Sequence, residues 1–403
     1  MRLEAMNKTP KGERYHIALF GKRNAGKSSV MNAITGQEIS IVSSMKGTTT
    51  DPVCKAMEFL PIGPVMVIDT PGLDDEGALG ELRVKKTEEI LEKTDLALIV
   101  VDGTQAKDTK LEKGLEQRCK EKGIQVLWVF NKKDLCKTQM ENTDASFWVS
   151  AKNKEGIEQL KEFIGKSVPV KEERPIVRDL LQRGDVVLLV VPIDKAAPKG
   201  RLILPQQQVI RDVLEAGAFP ILVRDLELEM FYNNLKEQPK LVITDSQVFE
   251  MVSRIVPDDV LLTSFSILMA RYKGNLKKLA NEVGRMEELQ DGDCILMAEG
   301  CTHHRQCGDI GTQKIPNWIK KYTGKNLQFD FSSGTQYPTD LEKYKMIVHC
   351  GGCMITQKEM QYRMEQAMQQ GVPIVNYGMV IAYTKGILKR SLCMFPDLEN
   401  TIQ

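Results

Sequence analysis

Gly21-Lys22-Arg23-Asn24-Ala25-Gly26-Lys27-Ser28 runs on through Ser29 into a helical pattern that reaches Ile34. The apolar segment Tyr15–Phe20 stands just before it. Strand, then G-x-x-x-x-G-K-S, then helix is the context a phosphate-binding loop requires. The glycines let successive backbone N–H groups turn inward around an anion, and the helix N-terminus adds a favourable dipole. In such a loop Lys27 reaches the β/γ-phosphates of a nucleotide and Ser28 ligates Mg²⁺.

Three further segments place the rest of the ligand. Asp69-Thr70-Pro71-Gly72 ends the apolar run Val65–Ile68. Asp69 can hold Mg²⁺ there, directly or through water, while the Gly72 N–H faces a γ-phosphate. Asn131-Lys132-Lys133-Asp134 ends the run Gln125–Asn131. The Asp134 carboxylate accepts from ring N1–H and the exocyclic amine of guanine; adenine would leave that acid unpaired. Ser150-Ala151-Lys152 ends Ser146–Ser150, where a backbone N–H meets the guanine O6. Four loops at the carboxyl ends of parallel strands point into one crevice. The first block, 1–170, is therefore predicted as a P-loop α/β domain that binds GTP and hydrolyses it to GDP and phosphate.

Apolar runs bounded by turn residues alternate with helical patterns along the remaining sequence, the rhythm of βαβ units. The charged stretch Val168–Pro175 reads as a linker. We expect a second α/β domain over 176–263 and a third over 264–403, each smaller and with a mostly parallel sheet. The third is expected to open with one helix, Ser264–Val283, and to carry a long helix near Thr356–Gln370. No repeat or low-complexity tract interrupts this order.

Of nine cysteines and four histidines, Cys301, Cys350 and Cys353 stand beside His303, His304 and His349. Cys301-Thr302-His303 follows a predicted strand, and His349-Cys350-Gly351-Gly352-Cys353 closes another. Both lie at carboxyl ends of strands and can converge on one centre. Thiolates select zinc or iron–sulfur centres. Glycine spacers and only three converging cysteines favour a cluster with one replaceable ligand, and His303, His349, Cys307, a small molecule or another chain can fill the fourth place. A structural zinc with three Cys and one His is the bland alternative. Met360, Met364 and Met368 read as one core-facing stripe, Cys54, Cys294 and Cys393 as small buried hydrophobes, and His16 as structural.

Lys+Arg number 55 and Asp+Glu 54, so the net charge is +1. That balance removes the argument for bulk nucleic-acid binding and leaves a local patch open. No apolar run approaches the ~20 residues a membrane span needs. The polar segment Met1–Gly12 has no apolar core for export, so the expected compartment is the cytoplasm, with reduced thiols.

The first block resembles the TrmE–Era-like GTPases. That resemblance implies that Gly47-Thr48-Thr49-Thr50-Asp51 is the first switch, with Thr49 as a further Mg²⁺ ligand, and that Asn24 holds K⁺. Leu73 stands where other GTPases carry a water-orienting glutamine, which implies slow, K⁺-stimulated turnover with Lys27, Thr49, Asp69 and Gly72 as the catalytic groups. Nearly the whole chain, including Pro198–Gln206 and the Cys-x-His…His-Cys-x-x-Cys pattern, resembles the FeFe-hydrogenase maturation GTPases. Membership implies a 4Fe–4S cluster on Cys301, Cys350 and Cys353, with His303 and His349 as motif members. It also implies a dimerising middle domain, a transient diiron subcluster received from radical-SAM maturases, and delivery to apo FeFe-hydrogenase. The competing reading is an RNA- or ribosome-associated TrmE–Era-like GTPase with a zinc-stabilised appendix.

Overall fold

The computed structural model describes residues 9–36, 52–73, 86–136, 141–167, 174–193, 202–301, 309–334 and 336–398. Two compact units divide the chain, Met1–Glu172 and Glu173–Gln403.

The first unit is built on a six-stranded sheet in the order β2-β3-β1-β4-β5-β6. Its strands are β1 (Tyr15–Phe20), β2 (Val53–Phe59), β3 (Gly63–Asp69), β4 (Leu96–Asp102), β5 (Gln125–Asn131) and β6 (Ser146–Trp148). All neighbours are parallel except the β2–β3 pair. Strands covered on both faces read as near-continuous apolar runs, and β4 and, apart from His16, β1 do. Ile17 and Leu19 point into the core on one face, while Ala18 and Phe20 point into the core on the other. That alternation is the strand's period of two. Strand β2, missing from the sequence reading, sits at the antiparallel edge with every second residue exposed.

The second unit contains two four-stranded parallel sheets, β10-β9-β7-β8 and β12-β11-β13-β14. The first comprises β7 (Val186–Val190), β8 (Phe219–Val223), β9 (Leu241–Thr244) and β10 (Leu261–Ser264). The second comprises β11 (Cys294–Glu299), β12 (Gln328–Ser333), β13 (Met346–His349) and β14 (Ile374–Asn376). One continuous apolar core, from Ile176 to Leu398, runs between and around both sheets. The single helix expected over Ser264–Val283 is two, Phe265–Lys273 and Leu276–Glu282. Gly274 ends the first, and the Asn275 side chain caps the second by accepting from Lys278 N. No helix among the described residues is long and apolar enough to cross a membrane.

Candidate nucleotide and cysteine sites

Strand β1 ends at Phe20, and the chain turns at once through a loop that only glycine can complete. Gly21 has φ +151°, and a Cβ there would lie 2.0 Å from the Val100 carbonyl oxygen. Gly26 has φ +89°, and a Cβ there would lie 2.2 Å from the Asn131 amide nitrogen. The helix Lys27–Thr35 starts immediately after. Asn24 occupies the turn itself, exposed, in a left-handed conformation with φ +58°. Lys27 is buried, and its ammonium donates to the carbonyls of Gly21 (3.0 Å) and Lys22 (2.9 Å).

The parallel register sets Leu19 beside Asp69, so β3 delivers its carboxylate to the phosphate loop. Ser28 Oγ donates to Asp69 Oδ2 at 2.5 Å. The other carboxylate oxygen, Oδ1, is buried and has no hydrogen-bond partner. Burial pushes the Asp69 carboxyl above its ordinary value of 3.8, while Ser28 and Lys27 pull it back. A hydroxyl touching a half-satisfied buried carboxylate is a donor set that suits a hard divalent cation. Next to it, Leu73 N donates to Gly21 O at 3.2 Å, and the Leu73 side chain packs on the apolar core.

At the other end of the crevice, Asn131 ties three loops together. Its Nδ2 donates to Ala25 O (3.2 Å), and its Oδ1 accepts from Ala151 N (3.0 Å). Asp134 is exposed, and its Oδ1 accepts from Ser150 Oγ at 2.6 Å. Lys132 stands in the left-handed region with φ +62° and pairs with Asp102 at 2.5 Å. Burial opposes the charge on Asp102, yet the bonds from Lys132 and Thr104 hold its carboxyl below the ordinary range. Sequence reading passed over Asp102, although its place at the end of β4, between two motif-bearing strands, was the available signal. Thr48, Thr49 and Thr50 lie outside the described residues.

The cysteine loops leave β11 and β13, adjacent parallel strands with Ala298 opposite His349. Cys350 N donates to Ala298 O at 2.9 Å. Two backbone N–H groups then converge on the Cys350 sulfur, from Gly300 (3.1 Å) and Gly352 (3.4 Å). Gly352 adopts φ +66°, the left-handed region that favours glycine. Burial, and then the neighbouring Cys350, Cys353 and Glu299, push the Cys301 thiol up to about 12. Cys301 thus lies within electrostatic reach of Cys350 and Cys353. Among the described residues, however, no group of three or more Cys, His, Asp or Glu is gathered tightly enough to hold a metal ion as it stands. His303, His304 and Cys307 lie outside the described residues.

His349 is fully buried with both ring nitrogens taken. Nδ1 lies 2.7 Å from the Cys350 carbonyl oxygen, and Nε2 lies 3.0 Å from Arg363 Nη1. Burial first, and the Arg363 cation second, drive its pKa down to about 3, so the ring is neutral at physiological pH. Arg363, Glu359 and Tyr337 were missed from sequence. Arg363 shares the buried helix face of Met360, Met364 and Ala367, and a charge on that face was the signal.

Three core readings need correction. Cys54 and Cys393 are exposed, the first because it falls on the outward phase of β2, the second at the C-cap of the short helix Leu388–Leu392. Met368 is 43% exposed, whereas Met360 and Met364 are buried. Steps of four residues rotate about 40° around a 3.6-residue helix, so the third methionine leaves the core face.

A sheet with the phosphate loop after β1, an acidic residue ending β3, and base-facing loops after β5 and β6 defines a P-loop GTPase fold. Residues 16–132 match the family model for a 50S ribosome-binding GTPase. Residues 176–274 match the hydrogen maturase F dimerization domain, and 277–394 match its tetramerization domain. The chain belongs to the hydrogen maturase F (HydF) family, and is a HydF-type GTPase. It is 34% identical over 151 residues to the tRNA modification GTPase MnmE of Bordetella parapertussis, covering 37% of this chain and 33% of that protein. Against MnmE of Francisella tularensis it is 30% identical over 224 residues, covering 54% and 47%. The chain thus spans between a third and a half of the length of these relatives. Among solved structures, Aquifex aeolicus Era bound to GDP and AlF4⁻ superposes with a TM-score of 0.35 at 20% identity, over 52% of this chain and 92% of that one.

Proposed function

We propose that this protein is a slow, K⁺-stimulated GTPase that also carries an iron–sulfur cluster, and that it assembles and delivers the diiron subcluster of FeFe-hydrogenase. Residues 1–170 handle the nucleotide, 176–263 drive self-association into a dimer or higher oligomer, and 264–403 hold the cluster. The partners are the radical-SAM maturases and the apo-hydrogenase, in the cytoplasm. The observation that carries this reading is the arrangement of Cys301, Cys350 and Cys353 at the ends of two paired strands, with two N–H donors aimed at one sulfur.

At the nucleotide, Gly21 to Ser29 wrap the phosphates, with Lys27 exchanging its two carbonyl partners for phosphate oxygens. Ser28 and Asp69, joined by Thr49, hold Mg²⁺, and the orphaned Asp69 Oδ1 supports that fit. Gly72 senses the γ-phosphate. Asn131, Lys132, Asp134, Ser150, Ala151 and Lys152 bind guanine. Leu73 has no polar atom with which to orient water, so the missing transition-state charge falls to K⁺ beside Asn24.

The thiols and N–H donors suit a 4Fe–4S cluster, which would supply the attachment point for the diiron unit. The three thiols have to draw together for all three to ligate at once. Anaerobic reconstitution followed by iron, sulfide and EPR analysis tests the reading. Roughly four irons and four sulfides per chain are expected for that cluster type; stoichiometric zinc without sulfide would end it and favour the zinc-stabilised alternative.

A further inference from the structure

Behind the cysteine turn lies a buried chain of polar groups that the proposed function leaves unused. Arg363 is 2% exposed, on the helix Gln357–Gln369. Its Nη2 donates to Glu359 Oε1 (2.6 Å) and to the Gly334 carbonyl (2.5 Å). The guanidinium lies 4.9 Å from the centre of the Tyr337 ring, and the Tyr337 hydroxyl donates to the Arg363 carbonyl at 3.3 Å. Nη1 faces His349 Nε2 at 3.0 Å.

One chemical fact orders this chain. A guanidinium keeps its protons and has no acceptor. Arg363 Nη1 can therefore only donate, so Nε2 must present its lone pair. The proton of the neutral ring then resides on Nδ1, where the Cys350 carbonyl at 2.7 Å accepts it. We propose that Arg363, held by Glu359, is a positioning residue for the cysteine turn: it fixes the tautomer of His349, and His349 in turn pins the Cys350 carbonyl, so that the histidine supports the thiols and does not ligate. This rests on the cluster reading for its purpose, but its geometry stands in the metal-free chain. A buried ion pair can equally be a neutral piece of packing, so the test needs readouts that packing alone does not move.

The full-length metal-free chain, labelled with ¹⁵N-histidine, provides the first. Only four histidines need assignment. The His349 proton is expected on Nδ1 and slow to exchange with water; Arg363→Met should speed that exchange about tenfold or more. The second readout is the alkylation rate of Cys350, followed by peptide mass spectrometry. His349→Asn keeps a donor near the Nδ1 position, whereas His349→Gln places it near Nε2. Asn should preserve the native rate and Gln should raise it about tenfold. In reconstituted protein, Arg363→Met should lose iron to a chelator about 10- to 100-fold faster, the usual penalty for disturbing a ligand's support. A proton on Nε2 in the native chain overturns the proposal, as do equal alkylation rates for Asn and Gln, or unchanged exchange and iron loss in Arg363→Met. If Arg363→Met fails to fold by circular dichroism, the Asn and Gln pair decides. Native protein that takes up no iron or sulfide would defeat the cluster function, while the histidine and alkylation results would still judge the relay.

Discussion

Gly26→Ala should weaken the base-binding end of the nucleotide crevice although residue 26 belongs to the phosphate end. The new Cβ would fall 2.2 Å from Asn131 Nδ2, so Asn131 must leave its place. Two hydrogen bonds go with it, to Ala25 O and from Ala151 N. At about 1 kcal/mol net each, that is about 2 kcal/mol. The left-handed φ of +89° adds about 1–2 kcal/mol for a residue with a side chain. Gly26→Ala alone should therefore cost about 3–4 kcal/mol, and Asn131→Ala alone about 2–3 kcal/mol. The double variant has no amide left to displace. It should cost about as much as Gly26→Ala alone, which leaves a coupling of about 2 kcal/mol. Denaturant unfolding of the full chain measures this, with Trp128 and Trp148 reporting the first unit. Guanine nucleotide affinity gives a second cycle. Additive costs, within about 0.5 kcal/mol, would refute the idea that these two residues compete for one space.

Replacing K⁺ by Na⁺ should slow GTP hydrolysis roughly tenfold or more, since a transition-state charge is lost; equal rates in the two salts would remove K⁺ from the mechanism and leave Asn24 as a turn residue. Asp134→Asn swaps an acceptor for a donor opposite the guanine N–H groups and should lower GDP affinity by about 10⁴-fold, while circular dichroism stays native because Asp134 is exposed; retained affinity in a calorimetric titration would place the base elsewhere. Asp69 supplies a pH test. Its folded pKa lies above its ordinary 3.8, so the folded state binds the extra proton and metal-free stability falls as pH rises through that window. Thermal melts across pH 4–7 should show this slope in the metal-free chain and lose it in Asp69→Asn or with Mg²⁺ and GDP present; a slope of the same size in Asp69→Asn would assign it to another group.

Much of the candidate nucleotide crevice was legible because its motif residues follow local rules, although Asp102 was not. A glycine at φ +89°, an acid at a strand's end and an amide two loops away all belong to motifs of a few residues. Strand β1 and strand β4 were legible for a related reason, as near-continuous apolar runs. Strand β2 was not. Its Lys55 and Glu58 interrupt the apolar signal, as an exposed edge strand requires. Gly274-Asn275 divides a helix whose apolar periodicity runs on across the break, and only the cap bond from Lys278 N reveals where the second helix starts. Local pattern is equally silent on which face a flanked cysteine takes, hence the misreading of Cys54 and Cys393. The single core shared by the two sheets of the second unit is a long-range property that no window of sequence contains.

Both candidate sites use the same construction, a sharp exit from the carboxyl end of a parallel strand that leaves N–H groups facing a would-be anion. They differ in what lies behind that edge. At the nucleotide edge a buried carboxylate oxygen waits without a partner, and Lys27 spends its donors on loop carbonyls it must release. Such a site is costly when empty, and ligand binding stabilises the fold by mass action. At the cysteine edge Arg363, Glu359, Tyr337 and His349 already satisfy one another, so the frame behind Cys350 stands before any metal arrives. Cys301 follows the neighbouring strand β11, two residues past its end. If the proposed cluster binds at this edge, the frame behind Cys350 would let it enter or leave without dismantling its support.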